Sequence, residues 1–192
     1  VERVSQLQVG KVIDSNSRVF EGLILENGGI PNRYSPVEDD YDKIKEAILK
    51  GIQENDMLII GAGSSAGSKD YTASVIEELG EVVVHGVAMK PGKPTILGII
   101  DEKPVIGIPG YPVSAYLVFE TFVIPLILKF IGLEEEKEVF QQAIISKKIT
   151  SSLKNRELIR VNLGYVKDKL VATPLSSGAG VTMSLVKADG IA

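Results

Sequence analysis

Hydrophobic and polar residues follow two different patterns along this chain. Over roughly the first 130 residues, segments with apolar positions three and four apart alternate with short, continuous apolar runs. The first pattern is typical of amphipathic helices and the second of buried strands. Their alternation predicts an α/β domain of three layers, in which a mainly parallel sheet carries helices on both faces.

The predicted elements end at glycine, proline or charged residues. The helices are residues 17–27, a segment that Asp39 or Asp40 caps, Tyr71–Leu79 and residues 113–131. The strands are residues 11–13, 57–60 and 81–87, and residues 95–100 and 105–108 form a hairpin.

The segment 113–131 is almost entirely apolar and nearly long enough to cross a membrane. It also contains Glu120, Pro125 and Lys129. Since charges in the middle of a membrane span are costly, we expect a helix buried in the domain and no contact with a membrane.

A charged linker at residues 134–138 separates the α/β pattern from a second one. Residues 140–149 and 158–166 alternate partially, and residues 169–174 return after a turn. The last recognisable element, residues 181–187, has no closing strand after it. We therefore assign residues 1–136 to the α/β domain and residues 137–192 to a small, barrel-like all-β domain, which we expect to be incomplete.

Composition narrows the function only broadly. The chain has 192 residues, of which 44% are hydrophobic and 24% charged, as in ordinary globular proteins. A balance of 21 basic and 25 acidic residues argues against a nucleic-acid partner. The lack of cysteine excludes disulfides, thiolate zinc sites and cysteine nucleophiles, and it is compatible with a cytoplasmic location.

Three short loops rich in glycine, proline and serine are the main candidates for chemistry. We call them the glycine loop (residues 61–67, GAGSSAG), the lysine loop (residues 90–94, KPGKP) and the proline loop (residues 109–114, PGYPVS). Loops of this kind turn backbone N–H groups toward a ligand, and α/β proteins use them to bind phosphate-bearing molecules. Together they predict one crevice for an anionic ligand.

The glycine loop also satisfies a dinucleotide-binding fingerprint through Gly61, Gly63 and Ala66. That fingerprint requires an acidic residue at the end of the next strand to bind the ribose. The next strand ends without one, at His85-Gly86-Val87. A contact with phosphate or a pterin is therefore favoured over a nicotinamide cofactor.

Several polar residues near these loops have two open interpretations. Asp70 can cap the helix that follows it, or hold a divalent cation or a water molecule. Asp14 is by default a turn former, and a ribose or metal contact if it faces the crevice. Lys90 and Lys93 suit an oxyanion or a phosphate, or are simply solvated. Ser114 can donate to an anion at a helix N-terminus or cap the helix.

Four segments resemble the molybdopterin molybdenumtransferase family, which includes MoeA and the gephyrin E domain. They are residues 14–16 (DSN), residues 61–70, residues 88–94 (AMKPGKP) and the proline loop. The resemblance covers roughly residues 8–190 and only the third and fourth domains of the family. The third is a three-layer α/β unit shared with MoaB and MogA, and the fourth is a small β barrel.

The resemblance implies a role in molybdenum cofactor biosynthesis. Family members bind adenylylated molybdopterin and molybdate, hydrolyse the adenylate with Mg²⁺ or another divalent cation, and transfer molybdenum to the dithiolene. By resemblance, Asp70, Lys90 and Lys93 are catalytic, and Asp70 is the metal ligand. The other implied ligand contacts are Asp14, Asn16, Gly61, Gly63, Ser64, Ser65, Gly67, Pro91, Gly92, Pro109, Gly110, Pro112 and Ser114.

Two local differences separate this sequence from the family pattern. The glycine loop usually has a GGVSVG character, and Tyr111 stands where the family usually has asparagine. The two N-terminal domains of the family, which help form the homodimer and complete the partner's active site, are also absent. We expect a homodimer by resemblance. A second interpretation is that this chain is a fragment that binds the ligand without turning it over.

Three other functions compete with part of a molybdenum insertase. A non-catalytic sensor or carrier module of a larger fusion protein would keep the pocket for the pterin nucleotide or molybdate. A MogA-like adenylyltransferase is disfavoured because those proteins lack the appended β domain. A scaffold without ligand predicts that substitution of Lys93 changes no binding.

Overall fold

The computed structural model describes residues 12–62, 71–134, 139–151, 154–175, 178 and 182–192. Its first part contains helices α1 (Asn16–Glu26), α2 (Tyr41–Glu54), α3 (Tyr71–Leu79), α4 (Pro112–Val118) and α5 (Ile124–Phe130). Its strands are β1 (Leu58–Ala62), β2 (Glu81–His85), β3 (Met89–Lys90), β4 (Ile96–Ile100) and β5 (Lys103–Pro109). The second part contains β6 (Ile144–Ile145), β7 (Arg156–Glu157), β8 (Arg160–Val166), β9 (Lys169–Pro174), α6 (Met183–Lys187) and β10 (Gly190–Ile191).

The larger sheet has the strand order β1-β5-β4-β2. Strand β1 is parallel to β5, whereas β4 is antiparallel to both β5 and β2. Three of these four described strands therefore point in one direction, in agreement with the predicted sheet. Adjacent strands nevertheless pair both in parallel and antiparallel, because β4 forms the predicted antiparallel hairpin with β5 and lies between β5 and β2.

Helices cover both faces of this sheet, as the strand sequence predicts. In β5, Val105 packs with Ile48 of α2 and Ile76 of α3. Ile106 and its face-mate Ile108 pack on the other side, in the cluster that contains α1 and the helix after β5. The resulting order of helices, sheet and helices confirms the predicted three-layer α/β fold.

The β4–β5 hairpin closes through two residues with left-handed backbone. Asp101 and Glu102 have φ angles of 48° and 63°, and Ile100 pairs with Lys103. Positive φ at both central positions matches the right-handed twist of the strands they join. Lys103 then donates a hydrogen bond of 2.7 Å to the Ile52 carbonyl near the end of α2, where a cation is favourable.

The long apolar helix runs from Pro112 to Phe130 and contains a π-helical segment, Phe119–Val123. Pro125 has no N–H group for the usual helical bond. At this point the Ile124 N–H bonds to the Phe119 carbonyl instead, five residues back. This is a helix long and apolar enough to cross a membrane by length and composition, and it packs against the sheet in the cluster around Ile106, as predicted for a core helix.

The N-terminal strand prediction is wrong for the described residues. Val12 and Ile13 lie outside the strands of the described residues and are exposed, and Lys11 lies outside the described part of the chain. The chain turns here because Ser15 N–H donates to the Ile13 carbonyl and the Asp14 carboxylate accepts from Ser17 N–H. These bonds start helix α1 instead of extending a strand.

The second part has a sheet in the order β10-β8-β9-β6. The predicted β8–β9 hairpin is confirmed, whereas the predicted strand at 140–149 shortens to β6. The expectation of no closing strand is wrong, since β10 pairs antiparallel to β8. The Asp189 carboxylate accepts the Leu163 N–H at 2.9 Å and so turns the chain back toward β8. The boundary at 136/137 stays a prediction.

Candidate functional site

The strand pairing brings together, at one edge of the larger sheet, the strand ends that adjoin the three predicted loops. Ala62 at the end of β1 pairs with Pro109 at the end of β5, and Ile96 at the start of β4 pairs with Gly107 of β5. The glycine loop starts from the end of β1, the proline loop starts from the end of β5, and the lysine loop leads into β4. We call the edge formed by these strand ends the site edge. A crevice shared by the three loops would lie at this edge, and its existence stays a prediction.

Only the first part of the glycine loop lies within the described residues. Gly61 is exposed at the end of β1, where it pairs with Ile108. The predicted contacts outside the described residues are Gly63, Ser64, Ser65, Gly67 and Asp70. The described residues resume at Tyr71, the first residue of α3.

The segment around Asp14 and Asn16 lies against the proline loop. The Asn16 side-chain amide donates a hydrogen bond of 2.9 Å to the Gly110 carbonyl. Asp14 Oδ1 accepts the Ser17 N–H at 3.1 Å, which satisfies an amide in the first turn of α1. Asp14 therefore has the turn-forming role here, and Asn16 joins two of the predicted segments.

The proline loop leads from the central strand into the long helix. Pro109 is buried, whereas Gly110 is exposed and Tyr111 is 62% exposed. Pro112 occupies the first helical position, and the Ser114 side chain is buried. A helix N-terminus offers unpaired amide N–H groups and the positive end of the helix dipole to an anion. This end of the helix lies at the site edge.

The lysine loop is held tightly by its own glycine and by the following threonine. Gly92 has φ of +126°, and a Cβ atom on it would lie 2.4 Å from Met89 Cε and 2.9 Å from Val118 Cγ2. Thr95 Oγ1 is buried and donates to the Gly92 carbonyl at 2.6 Å. Pro91 precedes this glycine in a cis peptide bond. The loop backbone therefore fits closely on the long helix.

The two lysines of this loop are both exposed. Lys93 is fixed through its backbone, because its carbonyl accepts the Val87 N–H at 2.9 Å. Lys90 Nζ lies 3.4 Å from Glu157 Oε1 of the C-terminal part. The lysine loop thus presents two ammonium groups to solvent, from a backbone that is fixed by hydrogen bonds.

A short bridge between the two parts of the chain is absent from the sequence prediction. Strand β3 pairs in parallel with β7, and Arg156 N–H donates to the Ala88 carbonyl at 2.8 Å. Leu158 N–H donates to the Lys90 carbonyl at 2.9 Å. Each strand has only two residues, too few for any alternation of apolar and polar positions to reveal it.

Comparison with known proteins identifies the same two parts. A family model described as "Probable molybdopterin binding domain" matches residues 3–129. A second, described as "MoeA C-terminal region (domain IV)", matches residues 142–192. Each match covers one of the two sheets described above, apart from the short β3–β7 bridge.

Individual relatives agree with these family matches. A protein of Methanocaldococcus jannaschii named for molybdopterin biosynthesis is 39% identical over 98% of this chain and 44% of its own length. The molybdopterin molybdenumtransferase of Bacillus subtilis is 28% identical over 88% of this chain and 40% of its own length. A crystal structure of the MoeA protein of Pyrococcus horikoshii matches with a TM-score of 0.81 and 38% identity, over 100% of this chain and 46% of that one.

The chain therefore spans less than half the length of these relatives. Over that span the two family models agree with the order of the two folded parts, and the relatives agree in their names. The chain belongs to the molybdopterin molybdenumtransferase (MoeA) family of molybdenum cofactor biosynthesis, of which it carries the molybdopterin-binding domain and domain IV.

Proposed function

We propose that the site edge binds adenylylated molybdopterin and molybdate, as part of an enzyme that inserts molybdenum with hydrolysis of the adenylate. The observation that supports this most is that the ends of β1 and β5 and the start of β4, which adjoin the three loops, lie at one edge of the sheet. Exposed lysines and a helix N-terminus at this edge favour an anionic ligand. The relatives' names support molybdopterin as the ligand, and the adenylate and molybdate are proposed from the family resemblance.

Each loop has a separate task in this proposal. The glycine loop receives the pterin phosphate, while Pro91 and Gly92 hold Lys90 and Lys93 toward the oxyanion. Pro109, Gly110 and Pro112 shape the start of the long helix, whose amide N–H groups stabilise negative charge. Such fixed donors stabilise charge without having to reorganise during the reaction. Asn16 supports the proline loop from α1.

The divalent cation is proposed at Asp70, which lies outside the described residues. Within the described part of the chain, no group of three or more histidine, cysteine, aspartate or glutamate side chains could hold a metal ion. In this proposal the cation therefore depends on Asp70. Homodimer formation and a cytoplasmic location are likewise proposed from the family.

The decisive experiment titrates this chain with molybdopterin and with its adenylate. We expect saturable binding that Lys93→Gln weakens about tenfold, which corresponds to the loss of one charge-assisted contact. Lys169→Gln is the matched control, because it removes an exposed lysine at the start of β9. Equal binding by all three proteins would contradict a ligand site at the lysine loop.

Measurement of AMP release separates catalysis from binding alone. An insertase releases AMP from the bound adenylate, whereas a sensor or carrier module binds the same ligand and leaves it intact. Because this chain spans less than half the length of its relatives, the assay is run on a longer protein that includes the family's N-terminal domains, as its adenylate complex, and on the Asp70→Asn variant of that protein. Release that depends on Asp70 supports the catalytic assignment, and release that is equal in both proteins removes Asp70 from it.

A further inference from the structure

The C-terminal part of the chain reaches the lysine loop through a charged side chain. Strands β3 and β7 place Lys90 directly opposite Glu157. The backbone of Lys90 is fixed there, because its carbonyl accepts the Leu158 N–H at 2.9 Å. The two side chains thus start from a backbone register that holds them together.

The exposure of the two partners is unequal. The Lys90 side chain is 64% exposed, whereas that of Glu157 is only 12% exposed. Lys90 Nζ and Glu157 Oε1 are 3.4 Å apart, so one side of the ammonium group faces the carboxylate and the rest is open to solvent. Because Glu157 is shielded from water and ions, its charge is screened less than that of an exposed carboxylate.

On the basis of the proposed function, we infer that Glu157 sets the charge of the oxyanion site. Its carboxylate pairs with Lys90 and lowers the net positive charge that the lysine loop presents to a ligand. An anion bound at Lys90 and Lys93 is also repelled by Glu157, in proportion to the charge of the anion. Glu157 therefore opposes binding of a free dianion more strongly than binding of a monoanion of the same shape.

Glu157 therefore acts on the ligand in two ways, by pairing with Lys90 and by electrostatic repulsion of the anion. Neither requires a direct contact with the ligand. This role also gives the C-terminal part a function in the site, since β7 belongs to that part. A purely structural ion pair would behave differently: its loss would change stability but would not distinguish between two anions of the same shape and different charge.

The test compares two tetrahedral oxyanions, the dianion molybdate and the monoanion perrhenate. Glu157→Gln keeps an oxygen that can accept a hydrogen bond from Lys90 but removes the negative charge. In calorimetric titrations of the chain at low ionic strength, we expect Glu157→Gln to bind perrhenate about threefold more tightly and molybdate about tenfold more tightly, because the Coulomb energy doubles with the ligand charge.

Asp168→Asn is the matched control, since it changes the net charge equally. Asp168 lies in the turn that follows the last residue of β8, Val166. Glu157 lies close to the other end of this strand, just before its first residue, Arg160. The seven residues of β8 make six steps, which separate its two ends by about 20 Å. We expect less than a twofold change for either anion in this variant.

Three results would overturn the inference: weaker or unchanged binding by Glu157→Gln, an equal factor for both anions, or the same change in Asp168→Asn. Lys93→Gln distinguishes this failure from failure of the proposed function. If Lys93→Gln binds molybdate more weakly than the unsubstituted chain does, the oxyanion site stands whatever Glu157 does. If the two proteins bind molybdate equally, or the unsubstituted chain binds neither anion, the oxyanion site is wrong and the inference fails with it.

Discussion

The Asn16 side-chain amide donates a hydrogen bond of 2.9 Å to the carbonyl oxygen of Gly110, a residue 94 positions further along the chain. Asn16 is the first residue of α1, and Gly110 lies between the end of β5 and the start of the long helix. This bond fixes the proline loop at the site edge from a second element. Its loss should therefore affect ligand binding more than stability.

Asn16→Ala tests this link. The bond is exposed to solvent, so its removal should lower the free energy of unfolding by only about 0.5–1 kcal/mol. The proline loop then has one constraint fewer, and we expect the affinity for the pterin ligand to fall about fivefold. Urea denaturation measures the first quantity and ligand titration the second.

Asn27→Ala is the control on the same helix. The Asn27 side-chain amide donates to the Leu23 carbonyl at 2.8 Å, at the opposite end of α1. It should cost a similar free energy of unfolding and leave the affinity unchanged. An affinity that falls equally in both variants would mean that helix stability, and not the bond to Gly110, controls binding.

The packing of Gly92 gives a second prediction. A methyl group there would overlap Met89 Cε at 2.4 Å and Val118 Cγ2 at 2.9 Å, in a backbone conformation that L-residues rarely adopt. Both effects are unfavourable, so Gly92→Ala should lower the free energy of unfolding by about 3 kcal/mol, as measured in urea. Because the lysine loop must shift, oxyanion binding should also be lost.

Gly132→Ala separates the two causes. Gly132 also has positive φ, at +76°, but a Cβ atom there meets nothing within 4 Å. We expect only the backbone cost, about 1 kcal/mol. If Gly92→Ala is no more destabilising than Gly132→Ala, the close packing of the lysine loop on the long helix is wrong.

The larger elements were predictable because each has its own local signal. Helix α2 begins at the predicted cap, with the Asp40 carboxylate accepting the Lys43 N–H at 3.1 Å. The hairpin around Asp101 follows from two apolar runs separated by polar residues. In both cases the residues that specify the element lie within it, so a pattern over ten or so positions is sufficient.

Contacts between distant segments were not predictable in the same way. Lys90 and Glu157 are 67 positions apart, and they meet through two strands of two residues each. Strand β10 is equally short and follows Asp189, whose carboxylate accepts the Leu163 N–H. At Val12 and Ile13 an apolar pair favours a strand, but the local bonds of Asp14 and Ser15 start a helix instead. Hydrogen bonds to other segments decide which structure these short stretches adopt, and the local pattern of residues does not show such bonds.

Tyr116 makes stability depend on alkaline pH. Burial, together with the nearby Glu120 carboxylate that its hydroxyl contacts at 2.9 Å, raises the pKa of Tyr116 from 10.0 to about 12. The hydroxyl of Tyr116 therefore loses its proton at a lower pH in the unfolded chain than in the folded chain. The stabilising contribution is complete below pH 10.0 and is lost as the pH rises through about 12. Since Tyr116 is only half-buried, we expect this loss to be at most about 1 kcal/mol.

Tyr116→Phe isolates this contribution in urea denaturation at several pH values. The difference in stability between wild type and variant should be constant below pH 10.0 and should shift in favour of the variant above it. Glu120→Gln removes one cause of the raised pKa and should reduce the pH dependence without abolishing it. A constant difference throughout the alkaline range would show that Tyr116 titrates alike in both states.

Asp189 should make the C-terminal sheet sensitive to acid. Its carboxylate accepts the Leu163 N–H at 2.9 Å and the Asn162 side-chain amide at 3.1 Å, and these bonds lower the pKa of Asp189 below its ordinary 3.8. The contribution is therefore complete above pH 3.8 and is lost as the pH falls through the lower, folded-state pKa. In amide hydrogen exchange, Asp189→Ala removes the acceptor and should expose Leu163 to faster exchange at neutral pH and remove the acid dependence of its protection. Asp168→Ala, in the β8–β9 turn, should change neither. Unaltered protection of Leu163 in Asp189→Ala would mean that strand pairing alone holds the chain against β8.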